Sequence, residues 1–171
     1  AAARSAGAEV VLEKRRGYGR AVTRGIDRAR ARGADAVVIF DGNGTVDGAI
    51  IRLILAPLVA GEADLVAGWR TDRSRLRPLQ RLGNRIAVAV LALRHGVSFH
   101  DVSPVRAITV AALATLALDE PGHGWPLALL SRSAARGLRI RQVPVELRPR
   151  LGRSKVSGTI SGTLCAGSAF V

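Results

Sequence analysis

The sequence has no methionine, one cysteine (Cys165), and only two lysines, Lys14 and Lys155, among its 26 basic residues. A lone cysteine excludes an internal disulfide and any zinc site built from clustered thiolates, and it is compatible with a reducing compartment. Aromatic residues make up 4% of the chain, too few for a base-stacking platform or an aromatic shelf for carbohydrate. The longest apolar runs, IAVAVLAL and ITVAALATLAL, fall well short of the roughly 20 residues that span a bilayer. No signal-peptide pattern is visible. The opening AAARSAGAEVVL enters an alanine-rich helical pattern with neither an initiator nor a cap, so the expectation is a chain lacking its natural start.

The 171 residues suffice for one domain with a real core, and 48% apolar with 23% charged residues are globular values. The net charge of +13 invites a polyanionic partner. The arginines are scattered over every segment rather than gathered in one run, however, so nucleic acid is not expected as the principal partner. Phosphorylated small molecules or an anionic membrane face suit a scattered surplus better.

Periodicity organises the first half. AEVVL (8–12) reads as a short strand, followed by a helix whose Ala21, Val22, Ile26 and Ala29 recur at helical spacing until Gly33. DAVVIF (35–40) is a continuous run typical of a strand covered on both faces, DGAIIRLILAPLVAG (47–61) a helix, and DLVAGW (64–69) a third strand. Apolar strands separated by helix-length crossovers predict an α/β fold, a mostly parallel sheet with helices on both faces. In such sheets ligands sit beyond the carboxyl ends of the strands. Further on, a helix is expected from about Leu79 to Gly96, a loop entering a short strand at 101–108, a helix over TVAALATLAL and another after Pro126. The alternating LRIRQVPVEL, with Pro144, reads as an edge strand.

Three stretches carry candidate chemistry. Asp41 and Asn43 stand at alternate positions after a buried strand, a spacing of hard oxygen ligands that suits Mg2+ or Mn2+; a tight turn is the competing reading of Asp-Gly-Asn-Gly. An EF-hand is excluded, because it needs glycine at Val46 and an acid at Arg52. RRGYGRAVTRG (15–25) fails as a dinucleotide fingerprint, since its third glycine falls at Val22, yet Gly17 and Gly19 permit close backbone approach at a helix N-terminus. Arg153, Ser154 and Lys155 form either a phosphate clamp or a solvated basic loop. His95, His100 and His123 lack metal-ligand spacing, Trp69 and Trp125 read as packing residues, and no nucleophile-histidine-acid set can be assembled.

The co-linear series GYGRA, VVIFDGNGTVD, GEADLVAGWR, QRLGNRIA, DVSPVRAI and GLRIRQVPVELRPRLGRSKVSG resembles the family-2 nucleotide-sugar glycosyltransferases of GT-A fold, in the branch similar to dolichyl-phosphate mannosyltransferase. The resemblance covers nearly the whole chain. It implies a single domain over 1–171, with residues 1–70 the remainder of a nucleotide-sugar and metal half, 71–155 an acceptor half and 156–171 a tail. It further implies inverting transfer of a sugar from a nucleoside-diphosphate sugar, with Mg2+ or Mn2+ at Asp41 and Asn43. Tyr18, Gly19, Asp41 and the loop Arg153, Ser154 and Lys155 are implied donor or phosphate contacts. Arg70 and Asp101 are the implied catalytic residues, with Arg106 nearby. Relatives carry two further N-terminal elements, so the resemblance identifies the chain as N-terminally truncated. The implied acceptor is a polyprenyl phosphate, met by a cytoplasmic protein peripheral at the inner membrane face. A catalytically impaired remnant that binds nucleotide or phosphate is the competing expectation.

Overall fold

A computed structural model describes residues 2–74 and 76–152. After a single-turn helix α1 (Ala2–Ser5), the elements run α2 (Tyr18–Ala31), β1 (Ala36–Phe40), α3 (Gly48–Val59), β2 (Leu65–Arg70) and α4 (Pro78–His95). They continue as β3 (Val105–Thr109), α5 (Val110–Ala114), α6 (Trp125–Ala135) and β4 (Ile140–Val145). Asp47 starts α3 by accepting the N–H groups of Ala49 and Ile50, both at 3.0 Å, which satisfies two orphan donors of the first turn. Gln80 Oε1 accepts the Arg77 N–H at 2.9 Å ahead of Pro78, and Gly96 closes α4 in the left-handed conformation.

The four strands are ordered β1-β3-β2-β4. β2 and β4 pair in parallel, while β3 runs antiparallel to both β1 and β2, so three strands share one direction and the reversed β3 lies between two of them. Strand alternation divides the core. Val37, Ile39, Leu65, Ala67 and Ile108 pack with α2, α4, α5 and α6 on one face. Val66, Val105, Ala107 and Val145 pack with Ile50, Ile54 and Leu58 of α3 on the other. The expected layers, helices on both faces of a sheet, are thus present.

Two expectations fail. Residues 8–12 form no strand, and Val11 and Leu12 stay exposed. A strand exists only through its ladder, and among the described residues β1 pairs with β3 alone. Glu9 instead holds Arg28 and Arg32, laying the segment beside α2. The helix begun at Val110 stops at Ala114, where the Thr115 hydroxyl donates back to the Ala112 carbonyl at 2.7 Å. Among the described residues β4 is an edge strand, as Pro144 requires.

Candidate active site

Because β3 is antiparallel, its first residue lies level with the last residues of its neighbours: Val105 is in register with Phe40 and with Gly68. Asp41, Arg70 and the 101–104 loop therefore meet at one end of the sheet, where loops and helix starts converge. Arg70 Nε donates to Asp101 Oδ2 at 2.7 Å and Nη2 to Oδ1 at 2.9 Å, a bidentate fork, and the Arg70 backbone N–H reaches the same Oδ2 at 3.2 Å. The loop is pinned by its neighbours: Asn84 Oδ1 accepts the Val102 N–H at 2.9 Å, and the Ser103 hydroxyl donates to the Gly68 carbonyl at 2.8 Å. Asp101 has no exposed side-chain surface, so this expected catalytic acid sits behind Arg70 and fixes its direction.

Arg106 occupies the middle of the apolar sheet face, in register with Ile39 and Ala67, and is 3% exposed. Burial pushes its pKa below the usual guanidinium value, while the neighbouring Tyr18, Asp41 and Asp101 pull the other way. A guanidinium keeps its charge even so. Its Nε has no partner among the described residues. The Tyr18 ring stacks on His123 with centroids 5.8 Å apart.

The elbow after β1 is a tight turn that also faces the cavity. The Asn43 N–H donates to the Asp41 carbonyl at 2.8 Å, and Asn43 Nδ2 approaches Asp41 Oδ2 at 3.4 Å. Asn43 Oδ1 accepts from the Thr45 N–H at 3.1 Å and from the Thr45 hydroxyl at 2.7 Å. Asn43 Oδ1 thus braces the turn through Thr45, and the residue lines the smaller cavity beside Asp41. Among the described residues no group of three or more His, Cys, Asp or Glu side chains could hold a metal alone. The donor set therefore fits a hard cation held by the Asp41 carboxylate plus substrate oxygens, the usual economy of Mg2+ sites.

Two adjoining cavities, about 580 Å³ and 340 Å³, share Asp41, Arg70, Arg77, Gln80 and Pro104 as a neck. The larger has an apolar wall from Leu76, Leu79, Ala87, Val102 and Leu127, with Arg106, Tyr18 and His123 at its polar end. The smaller mixes apolar Leu147 with polar Asn43, Thr45, Asp72, Arg148 and Arg150.

Gly19 packs against the 120–122 loop. Its N–H donates to the Gly122 carbonyl at 3.1 Å, and a Cβ there would lie 2.0 Å from the Glu120 carbonyl oxygen. The close approach that glycine permits is made by the 120–122 loop, not left open for a ligand. Arg153, Ser154 and Lys155 lie outside the described residues. Gln80 opens QRLGNRIA and Arg148 and Arg150 lie in GLRIRQVPVELRPRLGRSKVSG, yet spacing gives them no role, and His123 lacks metal-ligand spacing. Arg77 carries no motif, and folding brings all five to the two cavities.

No protein-family model matches the chain. An uncharacterized glycosyltransferase of Mycobacterium tuberculosis (strain H37Rv) is 37% identical over 163 residues, 94% of this chain and 73% of the relative. An undecaprenyl-phosphate mannosyltransferase of Micrococcus luteus is 29% identical over 160 residues, 85% of this chain and 63% of the relative. Glucosyl-3-phosphoglycerate synthase from M. tuberculosis, in complex with phosphoglyceric acid, superposes with a TM-score of 0.77 at 24% identity over 98% of this chain. The same enzyme in complex with Mg2+ and uridine diphosphate gives 0.70 at 25% identity over 89% of this chain. This chain spans about three fifths of the length of the first of these structures, 61%, and 56% of the second. The chain belongs to the family-2-like glycosyltransferases of GT-A fold.

Proposed function

We propose that the cavity transfers a sugar from a nucleoside-diphosphate sugar to a phosphate-bearing acceptor of the polyprenyl-phosphate type, with inversion. The observation that carries this reading is the convergence of Asp41, the Asp101-braced Arg70 and the buried Arg106 on one cavity. A departing nucleoside diphosphate accumulates negative charge, and prealigned cations stabilise that charge where it develops. Arg70 enters with its direction already set, so little reorganisation is required during reaction.

An acceptor that is already an anion needs no general base. That agrees with cavity walls on which Asp41 and Asp72 are the carboxylates among the described residues. A single displacement by the acceptor oxygen inverts the sugar carbon. The apolar wall of the larger cavity suits the first part of a lipid chain, and the mannosyltransferase relative, named for undecaprenyl phosphate, supports that acceptor class. Arg148 and Arg150, at the polar side, suit the donor diphosphate.

Asp41 is the residue that would hold Mg2+ or Mn2+, cations found with uridine diphosphate in the solved relative. Bound there, the cation supplies Lewis-acid neutralisation of the leaving diphosphate. Tyr18 lines the same cavity as Arg106, and His123 backs the Tyr18 ring.

The test is thermal unfolding with uridine or guanosine diphosphate plus Mn2+. Wild type is expected to gain several degrees from at least one of them, and Asp41→Ala to lose that gain. A full shift retained in Asp41→Ala would overturn the assignment.

A further inference from the structure

Helix α4 carries an apolar stripe that the fold does not bury. Leu79, Leu82 and Ile86 are 55%, 54% and 54% exposed, and Leu93 is 88% exposed. With the exposed Ala89 they recur at steps of three and four residues, so all five lie along one side of the helix. Single exposed leucines are ordinary, but a row in register over the whole length of one helix is not. The inward side of α4 is already used: Leu91 is buried and Ala87 and Val88 pack against the core.

The charged residues of α4 are all basic. α4 contains Arg81, Arg85 and Arg94 and not one acidic residue, and Arg77 precedes it. By helical spacing Arg81 and Arg85 border the stripe along one side. We infer that α4 is a membrane-docking face, its apolar stripe lying in the headgroup region of an anionic bilayer with the exposed Arg85 on lipid phosphates.

Charge selects this occupant. A second copy of the helix would bring arginine against arginine, which like-charge pairs disfavour. The chain's own residues 153–171 include no acidic side chain to complement the arginines. An anionic lipid surface answers both features at once, since interfacial helices combine an apolar stripe with flanking Lys or Arg. At 18 residues, roughly 27 Å long, α4 has the reach of such a helix. It is not a spanning segment: none of the described helices is long and apolar enough to cross a membrane.

The stripe also runs into the cavity. Leu79 belongs to both, and Leu76 and Arg77 lie at the same end. Docking on α4 would therefore place the mouth of the larger cavity at the headgroup level, where a lipid phosphate can enter without leaving the bilayer. This last point rests on the transferase reading, whereas the docking itself does not.

The experiment is co-sedimentation with phosphatidylcholine vesicles containing or lacking phosphatidylglycerol, across a salt series. Wild type is expected to bind the anionic vesicles and to be released by salt. Leu82→Glu/Ile86→Glu, at exposed positions outside the cavity lining, should weaken partitioning at least about tenfold. Arg85→Gln should weaken it about fivefold. Arg30→Glu, an equally exposed change on α2, should leave most binding intact. The nucleoside diphosphate and Mn2+ thermal shift, measured on the same variants, should be unchanged, so failed docking and a failed donor site are told apart. Equal binding to neutral vesicles, equal loss in Arg30→Glu, full binding by the double variant, or a concentration-dependent dimer that the double variant abolishes would each overturn the inference.

Discussion

The Arg70 guanidinium grips both carboxylate oxygens of Asp101, at 2.7 and 2.9 Å, while Asp101 is sealed from solvent and Arg70 keeps 22% of its side-chain surface. In the proposed transfer the acid therefore acts by positioning Arg70. Asp101→Asn is expected to lower turnover by roughly a hundredfold, the loss typical of one misplaced electrostatic group. It should also cost about 1–3 kcal/mol, because the guanidinium keeps its charge with one partner fewer. Steady-state kinetics and urea unfolding check the two effects separately.

Arg106 offers the opposite coupling of stability and function. A guanidinium 3% exposed in an apolar sheet face, with an unpartnered Nε, is costly to bury. Arg106→Met is expected to hold or raise the unfolding midpoint while abolishing the thermal shift given by nucleoside diphosphate and Mn2+. Loss of both stability and binding would mean that Arg106 is simply structural.

Asn43→Asp tests the elbow. A second carboxylate beside Asp41 raises the negative charge offered to a cation, and metal affinity follows the charge count of the ligands. Titration calorimetry with Mn2+ should show affinity increased by roughly tenfold over wild type. No change would mean that the side chain at 43 stays turned to Thr45 and away from the ion.

Two glycines of α2 should respond in opposite ways. Gly19→Ala forces a Cβ to 2.0 Å from the Glu120 carbonyl oxygen, backbone that cannot easily give, so about 1–3 kcal/mol or more is lost. Gly25→Ala meets nothing within 4 Å in the same helix and should gain about 0.5–1 kcal/mol. Thermal melts of the pair distinguish a packing glycine from an idle one.

Asp64 sets a pH dependence. Hydrogen bonds from the Arg139 side chain and backbone hold its carboxyl below the ordinary value of 3.8. A depressed folded pKa means that the stabilisation is complete above the ordinary value and is lost as pH falls through the folded one. The stability gap between wild type and Asp64→Asn should thus be constant near neutrality and close below about pH 4. Unfolding midpoints from pH 7 down to pH 3 test the sign.

Much of this molecule was legible in its sequence, for identifiable reasons. Ile50, Ile54 and Leu58 announce α3 by their spacing, and the run Val37 to Ile39 announces a strand covered on both faces. Strand direction was not legible, because a short strand such as Val105 to Thr109 reads the same either way. The chosen residues Asp41, Arg70, Asp101 and Tyr18 do gather at one end of the sheet. Their division of labour was hidden: which carboxylate faces the cavity and which lies behind an arginine depends on loop packing by Asn84 and Ser103. Gly19 looked like an open phosphate seat because nothing local reveals that residues 120–122, a hundred positions away, fill it.

The reversed strand β3 has a last consequence. Among the described strands it alone joins β1 to β2 and β4, and it bears Arg106 in register with Ile39 and Ala67. The seam that knits the scaffold and the cation beneath the reaction floor are one five-residue segment. A slip of that seam by a single pair of residues would carry the charge away from its hollow and unzip two ladders together, so architecture and chemistry here must change in step or not at all.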